Sequence, residues 1–273
     1  MMPRLARTLA IGALALSLAA PAPADVSLRW QQSTSPGDRM LADYLVDSHV
    51  ISDFVELVSA NFAFDKPFVV AVGTSGGPDY DPASNTVRLP YAYIERAVRT
   101  QASLLDSGPG GEAEEALAVR RALDVVEYTL YHLLGHALAG SGGIEVDELA
   151  EGYSTWAMLA YWPDGAAQWR EVSTTFARAS QRLDGPLSDY WHAHGLFAAR
   201  ERILDCWTIG REPALASTSP RKPTEAEALA CREDWETLDA NARRALEGVL
   251  LDDAPLRLAA RGRRAVGGGD EGS

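Results

Sequence analysis

Two histidines, His132 and His136, stand four residues apart in YHLLGHALAG, residues 131–140. On an α-helix that separation puts both side chains on one face, one turn or about 6 Å apart in height, so both imidazoles can address a single ion. It is the spacing of the HExxH zinc helix, where two imidazoles bind the metal and the intervening glutamate handles the proton. Here the glutamate position is Leu133. The pair taken alone describes a core helix with two incidental histidines equally well.

The next residues of the chain add to the pattern. GSGG, residues 140–143, reverses direction, and EVDELAE then opens a second helix with Glu145, Asp147, Glu148 and Glu151. If the two helices pack antiparallel, Asp147 falls near the level of His136 and Glu151 near that of His132. One carboxylate can then complete a His, His, carboxylate set while a second buttresses an imidazole. The plainer account is that Glu145, Asp147 and Glu148 favour the positive end of a helix. Gly135 lets another segment approach beside the histidines, at a cost of about 1 kcal/mol relative to Ala.

The elements around this hairpin predict an α+β, mostly helical domain with a small N-terminal sheet. VSLRW (26–30), PFVVAVG (67–73) and TVRLPY (86–91) read as short strands, and YDPASN (80–85) as a turn built on Asp81 and Pro82. Between the first two strands, the apolar residues of 38–62 recur at helical spacing. Further helices are expected from Tyr91 to about Gln101, Glu112 to Ala139, Glu145 to Tyr161, Trp169 to Leu183, Ser188 to Trp207 and Thr224 to about Leu251. The polar loop REPALASTSPRKP separates the last two. No internal repeat is visible.

With 273 residues and 47% hydrophobic content, the chain can fill one domain of its own. Residues 1–24 carry Arg4 and Arg7, then an apolar run, then APA before Asp25, the pattern of a cleaved secretory leader. That run is shorter than the roughly 20 residues needed to span a bilayer, and no later stretch looks transmembrane. The expected division is leader 1–24, domain 25–252 and a tail 253–273 without apolar periodicity. Removing Arg4 and Arg7 takes the formal charge from -13 to -15, which argues against a nucleic-acid partner. Export and an even count of two cysteines predict a Cys206–Cys231 disulfide, worth roughly 3 kcal/mol in the loop-entropy account.

Taken together, HLLGHAL, DELAEGYSTW, HGLFAARERILDCWTIGREP and ACREDW resemble a family of secreted proteins of zinc metallopeptidase type, catalogued as a domain of unknown function. KPFVVAVG and YDPASNTVRLPYAYIE extend the likeness upstream, so it covers most of the mature chain. The resemblance implies a zincin-like fold and zinc on His132 and His136. It puts Asp147 at the third, acidic ligand, and Glu151 in the following acidic position, orienting a histidine. The order of the two acids is swapped relative to the family, so Glu151 or Glu148 is the alternative ligand. It also pairs Cys206 with Cys231. The sequence departs from the family at Leu133, which cannot act as the general base, and at Ser75 and Pro90, where thiols are expected.

His194, two residues from His192, is a candidate oxyanion contact, or else a packing residue. Arg200 suits an anchor for a buried acid or for substrate, and Tyr153 reads as core. No GxSxG, phosphate-cradling or dinucleotide fingerprint appears. Three readings remain. The first is an exported metallopeptidase-like protein with zinc and weak or absent hydrolase activity. The second is a pseudopeptidase holding a peptide or protein partner in a cleft whose floor Leu133 makes apolar. The third is a metal-free structural domain.

Overall fold

A computed structural model describes residues 25–33, 35–105, 112–139, 144–161, 166, 169–170, 205–218 and 222–251. Strand β1 (Val26–Trp30) leads into helices α1 (Pro36–Ser48) and α2 (Val50–Asn61). Strands β2 (Phe68–Val72), β3 (Asp79–Asp81) and β4 (Thr86–Leu89) follow, then α3 (Tyr91–Leu104), α4 (Glu112–Ala139) and α5 (Ile144–Tyr161). Residues 205–211 are helical, Pro213–Thr218 form a 3-10 turn, and α6 spans Glu225–Ala245. The architecture is α+β and mostly helical with a small N-terminal sheet, as the patterning predicts. The helices expected from Trp169 to Leu183 and from Ser188 fall almost wholly outside the described residues.

The sheet has the order β1-β2-β4-β3. β1, β2 and β4 are parallel, and β3 runs antiparallel along β4. Every residue of β2 is buried, as its unbroken apolar run requires. β3 overlaps the segment that the sequence predicts as turn. At three residues it has no period to read, and it is held by Arg88, whose Nε and Nη2 each donate to a carboxylate oxygen of Asp79 at 2.5 Å.

Two helix boundaries also depart from expectation. The single helix expected over 38–62 breaks at His49, whose left-handed backbone (φ 61°) ends α1 and starts α2. The final helix stops at Ala245 instead of reaching Leu251, because the chain turns back to α2: Ala63 N donates to Val249 O at 2.6 Å and Leu251 N to Asn61 O at 3.1 Å.

α4 is the central element. Residues 122–135 are buried on every side of the helix, packed by α2, α3, α5, β3 and β4. α5 lies close along it because Gly135 has no side chain: a Cβ there would come within 1.9 Å of the Ala150 carbonyl oxygen. On the far side of α5, Trp156 Nε1 donates to Asp239 Oδ1 of α6 at 2.7 Å. The Cys206–Cys231 disulfide joins segment 205–211 to α6, and a Cβ on Gly210 there would come within 2.2 Å of the Cys231 carbonyl oxygen.

Because backbone cannot yield as a flexible side chain does, Gly135→Ala should lower stability by about 3 kcal/mol or more. Gly248→Ala, where nothing lies within 4 Å of the added methyl, should stay within about 0.5 kcal/mol of wild type. Urea unfolding of the two variants measures the contrast.

Candidate metal centre

The α4–α5 contact brings Glu151 to His132. His132 is fully buried and Glu151 is 5% exposed, and His132 Nδ1 lies 2.8 Å from Glu151 Oε2. Tyr128, one turn earlier on α4, donates its hydroxyl to the other oxygen, Glu151 Oε1. The opposite edge of the His132 ring faces His136, with the two Nε2 atoms 3.1 Å apart and the rings at 85°.

A carboxylate oxygen accepts, so the tautomer that pairs His132 with Glu151 carries its ring proton on Nδ1. That leaves the Nε2 lone pair aimed toward His136. Two nitrogens bound to one tetrahedral zinc at 2.0–2.1 Å stand roughly 3.3 Å apart. The observed pair fits two positions of such an ion with a small adjustment. Among the described residues, no group of three or more His, Cys, Asp or Glu side chains converges to hold a metal. Glu145, Asp147 and Glu148 belong to α5, and their side chains lie outside the described residues.

Leu133 corrects one expectation. It is 1% exposed and part of the hydrophobic core, so it does not form an open apolar floor. On a helix enclosed on every side, the residue next to His132 points into protein. Tyr153 is core as expected. His192, His194 and Arg200 lie outside the described residues.

Sequence reasoning missed Tyr128, Asp124 and Glu127, all buried on α4. The available signal for Tyr128 was its position four residues before His132, on the same helix face. Its ring stacks on Trp169 at 5.1 Å and 11°. Nearby, the Tyr131 hydroxyl is buried with no hydrogen-bond partner among the described residues. Burial, then the charges of Glu127 and Asp53, hold it well above the usual phenol range. Burial likewise raises Tyr93, which bonds Thr129 Oγ1 at 2.6 Å, and pushes Tyr161 up to about 12.

These folded-state values exceed the ordinary phenol value of 10.0. The unfolded chain therefore releases those protons first, and stability is full below pH 10 and falls as pH rises through the folded values. Phenolate absorbance against pH should show Tyr93, Tyr131 and Tyr161 absent from the reversible titration near pH 10, appearing only at higher pH or with loss of the fold.

The described residues thus bring together two imidazoles, one of them backed by a carboxylate from the next helix. The chain belongs to the family described as "Putative metallopeptidase", which it matches over residues 30–246. No curated protein and no solved structure matches it. The resemblance read from the motifs holds at the level of that family.

Proposed function

We propose that the chain is an exported zinc protein of this family whose peptide-bond hydrolase activity is weak or absent because Leu133 occupies the general-base position. The observation behind it is the pairing of His132 and His136 through Nε2 while Glu151 and Tyr128 occupy the far side of the His132 ring. Both Glu151 oxygens are engaged on that far side. This favours Asp147, one turn earlier on α5, as the third ligand, with Glu148 as the alternative.

A zinc ion bound by such a set polarises a carbonyl and acidifies water. His132 and His136 would bind it, and Glu151 would keep His132 in the Nδ1–H tautomer. No carboxylate stands at 133 to accept a proton, and general-base help of that kind is worth typically 10²- to 10⁴-fold. His194 remains the proposed oxyanion contact, and a peptide or protein the proposed occupant of the site. Export to the periplasm or beyond rests on the leader and agrees with the disulfide. Among the described residues, no helix is long and apolar enough to cross a membrane.

Purified protein should hold stoichiometric zinc that is lost in His132→Ala and His136→Ala, and should hydrolyse peptides at or near the blank rate. Leu133→Glu should lower stability because a carboxyl enters a buried position, and a gain of turnover in that variant would report that residue 133 reaches the histidine pair. Absence of zinc in zinc-supplemented buffer, or brisk zinc-dependent turnover by the wild type, contradicts this reading. Peptide captured without cleavage, with Leu133→Glu also inactive, would move the assignment to a pseudopeptidase.

A further inference from the structure

We infer that Tyr128 is a positioning residue for the histidine pair, acting through Glu151 and braced by Trp169. Its setting of the His132 tautomer stands on the fold alone, whereas its effect on the affinity of the pair for zinc rests on the zinc site proposed for this chain.

A glutamate carboxylate rotates about its last torsion with little resistance, so one hydrogen bond to His132 does not fix it. The second oxygen of Glu151 is claimed by the Tyr128 hydroxyl, and Tyr128 is itself 3% exposed. Its ring lies flat against Trp169, which is fully buried. Tyr128 sits one helical turn before His132, so donor and imidazole reach the same carboxylate from the same helix while Glu151 comes from α5. The carboxylate is thus held at both oxygens by α4, and Nδ1 of His132 meets an acceptor whose direction cannot drift. The imidazole plane follows, and with it the aim of Nε2 toward His136.

Partners that orient a metal-binding histidine are typically worth 10- to 100-fold in metal affinity. Tyr128 lies one bond further out, so Tyr128→Phe should weaken zinc affinity by about tenfold, at the low end of that range. Competition against a chromophoric chelator reads this with zinc alone. Nitrogen-15 NMR of histidine-labelled apoprotein supplies a readout that a packing role would not move. Wild-type His132 should be protonated on Nδ1, and Tyr128→Phe should mix the two tautomers while the fold is kept, with a lower unfolding midpoint because a buried Glu151 oxygen loses its donor. Unchanged tautomer and unchanged zinc affinity in a folded Tyr128→Phe chain overturn the inference, as does an Nε2–H tautomer in the wild type.

If wild type binds no zinc, the metal reading fails, while the apoprotein spectrum still decides the link from Tyr128 to His132. Should Tyr128→Phe not fold, 3-fluorotyrosine introduced at residue 128 keeps the ring and strengthens the donor. A displaced His132 Nδ1 resonance is then expected, and an unmoved one overturns the inference.

Discussion

The close approach of α4 and α5 at Gly135 is the constraint on which the histidine pair depends. Glu151 can span from α5 to both Tyr128 and His132 only because the Ala150 carbonyl sits where any other residue at 135 would place its Cβ. Push the helices apart by a methyl group and the carboxylate no longer reaches its partners. The imidazole would then lose the acceptor that selects its tautomer. A residue with no side chain therefore governs the geometry of this buried polar contact.

That polar point is expensive. α4 is buried all round through its middle, and Asp124, Glu127, Thr129 and His132 lie inside it. Burying such groups is costly unless each is hydrogen-bonded or paired. Around His132 this condition is met in sequence: Glu151 accepts from the Tyr128 hydroxyl and from His132 Nδ1, and His132 Nε2 faces Nε2 of the second histidine. Thr129 is met in the same way by Tyr93 and by the Val125 carbonyl. An apolar helix would pack here at lower cost.

Much of this was legible in the residues. The limits of α4 follow from DSGPGG before it and GSGG after it, and the same Gly turn predicts an antiparallel partner that brings Glu151 to the level of His132. Strands β1, β2 and β4 announce themselves as β-branched or aromatic runs bounded by polar or Gly/Pro signals. What escaped reading lacked a local signature. The break at His49 carries no Gly or Pro, β3 is too short to show alternation, and the end of α6 is set by contacts with residues 61–63 far away in sequence. Tyr128 was lost among the apolar residues of a buried helix, since one period describes core tyrosine and hydrogen-bonding tyrosine alike. The motif spacing sets Leu133 at the position where the resemblance expects a glutamate, while its burial comes from packing around the whole helix, which spacing does not report.

The central claim is that His132 and His136 form one metal site through Nε2, with Glu151 behind the ring. X-ray absorption at the zinc edge of the zinc-loaded full chain tests this directly. The account predicts two imidazole nitrogens at about 2.0–2.1 Å together with oxygen ligands. A shell of oxygens alone, or one with a single imidazole, would contradict it.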